Sequence, residues 1–201
     1  LIPLILKKYK DLSTNKLNKL IILMYFASLG LGFIIIEIVL MQKFILFLGH
    51  PVYALSIILF SLLVFSGLGS YTTKFVSFEK IKKNIFGSLI ALFFIILFYF
   101  YFVPIVFNRY IGLRLLSRII ISIVLLFPIA LVLGRFLPLG FKLIDKNYHL
   151  MIPWAWGING TMSVVGSVTA LILAINLGFN LTLMIGFILY LLTLGLVFKK
   201  I

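Results

Sequence analysis

The chain has 201 residues, of which 64% are apolar, 16% aromatic and only 11% charged, and its mean hydropathy is +1.29. A water-soluble domain of this length is about half apolar and a quarter charged, so a soluble globule is excluded for want of a polar surface. Lys and Arg number 18 against 4 Asp and Glu, giving a net charge of +14, and the absence of cysteine removes disulfides, thiolate metal sites, iron–sulfur clusters and cysteine nucleophiles together.

The chain opens on an apolar stub, Leu1 to Leu6 (LIPLIL), which stops at Lys7 and Lys8. A signal peptide carries its charges before its apolar run, the reverse of this order. Residues 1–19 therefore read as the end of an upstream helix followed by a basic cytoplasmic segment; a short interfacial segment at a mature N-terminus is the other reading. Six apolar runs follow: Leu20–Gln42, Val52–Thr73, Ile85–Phe107, Ser117–Leu139, Trp154–Leu177 and Leu181–Phe198. Each matches the roughly 20 residues that a helix rising 1.5 Å per residue needs to cross a bilayer core of about 30 Å. The runs lack polar alternation and are twice the length of a barrel strand, which leaves helices as the way to satisfy every backbone group in lipid. The predicted fold is all-α: a polytopic membrane protein with six transmembrane helices in one bundle over residues 20–198, and a cytoplasmic tail at 199–201.

The basic residues fix an expected orientation. With the N-terminus inside, the inner side receives Lys7, Lys8, Lys10, Lys16, Lys19, Lys74, Lys80, Lys82, Lys83, Arg135, Lys142, Lys146, Lys199 and Lys200, which is 14 of the 18. Lys43, Arg109, Arg114 and Arg118 remain outside. By the positive-inside rule both termini are cytoplasmic and the protein sits in the cell's inner membrane. The charge then points to the lipid bilayer as partner, with anionic inner-leaflet headgroups attracted to the Lys-rich loops, and not to nucleic acid.

Polar residues within spans carry the functional information, because each costs about 2.5 to 3.5 kcal/mol at a helix centre. Glu37 is the only acid within a run, and it shares a helical face with Ile34, Gly30 and Ala27. Small residues allow close helix approach, so Glu37 is expected to point into the bundle, as a proton, cation or ligand site or as an interhelical hydrogen bond. Arg135 is its obvious charge partner. Glu37 lies roughly 9 Å to the outer side of mid-span and Arg135 about as far to the inner side, which holds them roughly 15 to 20 Å apart and beyond a direct ion pair. Two polar layers are expected: an outer one of Glu37, Gln42, Lys43, His50 and Arg118, and an inner one of Arg135, Trp154, Trp156 and Asn159.

Gly49, His50 and Pro51 form a turn in which Gly ends one helix and Pro starts the next; His50 is also a residue type able to move protons near neutral pH. His50 and His149 fall on opposite membrane faces, which excludes a shared haem, and no spacing of metal ligands occurs. The segment FSGLGSY, Phe65 to Tyr71, lies at the end of a span and not in a βαβ unit, so its glycines read as close packing or a flexible helix end and not as a phosphate loop. Pro128 and Pro138 bracket LVLGRF; a kink is expected at the first and termination near the second. In PWAWGINGTMSVVGSVTA the residues Ser163, Ser167, Ala170 and Ala174 make a small-residue seam. Trp154 and Trp156 are interface anchors, or Trp156 lines a cavity with Asn159.

Three segments carry a family resemblance. Phe26 to Ser70 (FASLGLGFIIIEIVLMQKFILFLGHPVYALSIILFSLLVFSGLGS), LGRFLPLGFKLI, and PWAWGINGTMSVVGSVTALILAINLGF together resemble the membrane part of bacterial spermidine synthase-like proteins. The likeness rests on a GHP turn after a glutamate-bearing span and on a WxxNG helix start. It implies a soluble domain of the same parent chain, related to aminopropyltransferases and S-adenosylmethionine-dependent methyltransferases, to which the bundle anchors or presents substrate. Glu37, Gln42, Lys43, Gly49, His50, Pro51, Arg135, Trp156, Asn159 and Gly160 match the family's pattern. No catalytic residue, cofactor site or metal site carries over, because the nucleotide-binding sheet has no counterpart in these residues, and whether the parent is an enzyme stays open. Six spans with a basic loop at Lys74 to Lys83 are also similar to one half of a major facilitator superfamily bundle, which would move a small solute or polyamine with Glu37 as coupling acid. That superfamily's loop motif has an Asp and a Gly-Arg pair that are lacking here. A purely structural membrane anchor is the third reading.

Overall fold

The computed structural model describes residues 16–200, with side chains over residues 17–196. The stub Leu1–Leu6 and the charged residues Lys7, Lys8, Lys10 and Asp11 lie outside the described residues, as does Ile201, and the side chains of Lys199 and Lys200 are likewise outside.

Helix α1 (Lys16–Leu48) ends where Gly49 takes φ +82° and its N–H bonds the Ile45 carbonyl at 2.9 Å, a left-handed cap that a residue with a Cβ adopts only under strain. His50 is extended and Pro51 opens α2 (Pro51–Thr72). The 3-10 turns Thr73–Phe75 and Phe78–Lys80 lead to α3 (Ile81–Tyr110), which runs through Pro104. A short turn leads to α4 (Leu115–Tyr148), which runs through Pro128 and Pro138. One 3-10 turn, His149–Met151, joins it to α5 (Ile152–Lys200). Within α5 only Gly178 leaves helical geometry, at φ 81° and ψ 164°, a region of backbone space essentially reserved for glycine.

Six separately bounded spans are not what the structure contains. Among the described residues, four helical stretches are long and apolar enough to cross a membrane: Leu17–Leu48, Pro51–Phe75, Phe78–Tyr110 and Leu115–Leu196. The boundaries expected after Leu139 and between Leu177 and Leu181 are made by one 3-10 turn and one glycine, without a loop. Pro138 does not end α4. Beyond it, buried Leu139, Gly140, Leu143 and Ile144 recur at helical spacing, while Lys142, Asp145 and Lys146 lie on the more open face. An amphipathic turn of this kind continues the helix past the proline at which it was expected to end. Proline is tolerated in such helices because packed neighbours cover the backbone groups it frees.

Packing has two parts. Helix α1 lies between the two arms of α5, residues 152–177 and 179–200. Gly30 approaches the Asn159 backbone and Gly166 approaches Ile34, so the first arm runs alongside α1 in the same direction. Beyond Gly178 the order inverts. Lys43 meets Asn180, Gly186 meets Ile36, and Gly32 meets Tyr190. In the other part α2 packs on α4 through mutual glycines: a methyl group on Gly69 would fall on the Leu131 carbonyl, and one on Gly134 on the Ser66 carbonyl. Helix α3 bridges α4 and α5, with the Tyr99 hydroxyl donating to the Leu125 carbonyl at 2.8 Å. Phe26, Leu40, Phe44, Ile58, Leu92, Ile129 and Phe136 belong to one continuous core. Outside it, large apolar side chains such as Phe94, Phe102, Val124 and Ile175 are exposed along the helices, a surface suited to lipid and not to water.

Candidate functional site

The bundle's two ends differ chemically. At one end Lys142 Nζ donates to the carbonyls of Thr73 (2.7 Å), Lys74 (3.2 Å) and Val76 (3.2 Å), and Asn18 Nδ2 donates to the Tyr148 hydroxyl at 2.8 Å. The start of α1, the connection from α2 to α3 and the end of α4 therefore meet there, together with Lys19, Lys74, Lys80, Lys82, Lys83 and Lys146. At the other end Arg118 Nη1 donates to the Phe47 carbonyl at 2.9 Å, covering a free carbonyl of the α1 terminus beside Gly49. His50 is exposed, its side chain caps no helix, and its ring stands edge-on to Tyr53 with centroids 5.9 Å apart.

Lys43 is the most enclosed charge in the described structure, only 9% exposed. Its Nζ donates to Asn180 Oδ1 at 2.5 Å, just past the Gly178 reversal. The ammonium lines a cleft of about 500 Å³ whose apolar walls include Phe47, Val103, Pro104 and Phe107, with Asn108 and Asn180 as the other polar side chains. Phe47 and Phe107 stack with centroids 4.3 Å apart, which fixes α1 against α3 at the floor. Gln42 is half-buried beside it in sequence. Glu37 is half-buried and sits one turn beyond Ile34, on the α1 face that meets the first arm of α5. At about 100° per residue, Glu37 and Lys43 point roughly 120° apart around α1.

The expected inner layer is not assembled as one group. Arg135 turns to α3, where Nη2 donates to Asn84 Oδ1 at 3.0 Å while Nε is buried without a partner. Trp154 and Trp156 are 58% and 57% exposed, Trp156 stacks on Phe141 with centroids 5.4 Å apart, and neither lines the cleft that Asn159 borders. Asn159 Nδ2 donates to the Phe26 carbonyl at 3.1 Å, and Ser163 Oγ donates to the carbonyls of Gly30 (3.3 Å) and Asn159 (2.9 Å). These two residues line a second cleft of about 400 Å³ with Ser66, Gly67, Ser70 and Tyr190, between α1, α2, α4 and α5.

Comparison with protein-family models, curated proteins and solved structures finds no match for this chain. The long apolar helices make the chain an all-α, multi-pass membrane protein, and the resemblance to spermidine synthase-like proteins gains no support from these comparisons. Sequence reasoning missed Asn84, Asn180, Ser66 and Ser70. The first two are single amides beside apolar runs, and only their basic partners, Arg135 and Lys43, could have directed attention to them.

Proposed function

We propose that the bundle is a static membrane-anchoring domain that holds its lipid-facing surface and its basic end in fixed relation, and that it does not transport solutes. The observation that carries this is the clasp on α1. Alternating access needs two bodies that rock about a seam. Here α1 is held on both sides by arms of α5, at glycines whose contacts leave no room for a methyl group at Gly30 or Gly166. The partner this reading implies, a soluble aminopropyltransferase-like domain of the same parent chain, rests on the sequence resemblance alone. In this reading the basic end faces the cytoplasm of a cell whose inner membrane holds the bundle, both chain ends lie on that side, and its lysines attract anionic headgroups.

The test uses the transport alternative. Purified protein in proteoliposomes is expected to move no protons or polyamine above empty liposomes, and Glu37→Gln is expected to leave that baseline unchanged. A flux that wild type shows and Glu37→Gln abolishes, with both proteins folded, would overturn the anchor and restore Glu37 as a coupling acid.

A further inference from the structure

The cleft at Lys43 has a chemistry that anchoring does not use. An ammonium in an apolar setting is costly unless its charge is paired and its donors are bonded. Lys43 has three donors and, among the described residues, one side-chain hydrogen bond, to the neutral amide of Asn180. The only acid within an apolar run is Glu37, which points away around the helix. Arg118, the other basic group held at this end, is already committed to the Phe47 carbonyl. Lysines near a helix end usually extend their head to the membrane surface; this one is turned inward and is only 9% exposed.

The walls indicate what completes it. The cleft volume of about 500 Å³ falls within the roughly 300 to 1,000 Å³ of small-molecule sites. Its rim includes exposed Leu46, Ile111, Leu177 and Leu181, so the mouth opens among lipid-facing side chains. The occupant must then be apolar along its length and anionic at one end. We propose that this cleft binds an anionic lipid drawn from the surrounding leaflet, its acyl chain against Val103, Pro104 and Phe107 and its carboxylate or phosphate on Lys43, with Asn180 and Asn108 as secondary polar contacts. This stands independently of whether the bundle only anchors.

The experiment is equilibrium binding of radiolabelled oleate to delipidated full-length protein in an uncharged maltoside detergent. Unlabelled oleate and dioleoylphosphatidylglycerol are expected to compete, the first reading a carboxylate head and the second a phosphodiester. Dioleoylphosphatidylcholine, oleylamine and acetate are expected to compete at least tenfold more weakly. Lys43→Met, which keeps the side-chain length without the charge, is expected to weaken oleate binding by about ten- to a hundredfold, and Lys43→Arg to restore most of it. Ile111→Trp narrows the mouth while leaving Lys43 and Asn180 in place, and is expected to weaken binding without changing the melting temperature; it serves if Lys43→Met does not fold. Equal competition by oleylamine or by acetate would overturn the proposal. So would unchanged oleate binding in either folded Lys43→Met or folded Ile111→Trp.

Discussion

Gly67 and Gly69 stand two positions apart in FSGLGSY and face different demands. A methyl group on Gly69 would strike the Leu131 backbone, whereas one on Gly67 would meet nothing within 4 Å. Gly69→Ala should therefore force α2 and α4 apart at a cost of about 1 to 3 kcal/mol, while Gly67→Ala should be neutral or slightly stabilising because alanine is the better helix former. Thermal unfolding of the two variants in detergent checks this, and equal destabilisation would show that α2 and α4 do not meet at Gly69. Gly178 makes a different demand, of backbone angle. Nothing crowds it, yet its φ of 81° and ψ of 164° lie where a Cβ is strained, so Gly178→Ala should lower stability by about 1 to 3 kcal/mol despite the free space around it. The sequence marks all three as glycines at helix ends or turns; which is a packing contact, which is a reversal and which is neither depends on distant backbone.

At the scale of elements, α4 shows why a boundary expected at Pro138 was misplaced. Pro138, Lys142 and Lys146 read locally as the edge of a span, but Leu139, Gly140, Leu143 and Ile144 find partners in the core, and Gly140 sits against Tyr25 and Phe26. Periodicity over those residues was legible; that their apolar face had something to bury against was not. The extension has a further role, because Lys142 reaches back to three carbonyls of the α2–α3 connection. Lys142→Met should loosen that connection, with a loss of roughly 1 kcal/mol for a partly exposed charged donor. The expected readout is faster trypsin cleavage at Lys74 or Lys80 in the detergent-solubilised protein; an unchanged cleavage rate would show that the three hydrogen bonds do not order the segment.

For the whole molecule, the apolar character, the helical class and the concentration of lysines at one end were all readable, because composition and charge placement are additive along the chain. The polar pairings that join distant helices were not. Lys43 finds Asn180, Asn18 finds Tyr148 and Arg135 finds Asn84 across long stretches of sequence, and nothing in local spacing selects those partners from other amides and hydroxyls. Orientation is open to direct measurement, since the chain has no native cysteine to interfere. A cysteine placed at exposed His50 should react with a membrane-impermeant maleimide in intact cells, and one at exposed Ser77 should react only after the membrane is opened. The opposite pattern would invert the bundle.

The clasp on α1 also sets an order of assembly. Among the described helices, the one made earliest is completed by the one made latest: Gly32 waits for Tyr190 and Gly186, and Lys43 waits for Asn180. Closure over so long a stretch of chain is slow. Until the second arm of α5 arrives, α1 stands in the membrane with its Gly32 face bare and an ammonium without its amide. A ribosome stalled near residue 178 would leave a half-closed bundle, with that face open to the membrane's quality-control proteases.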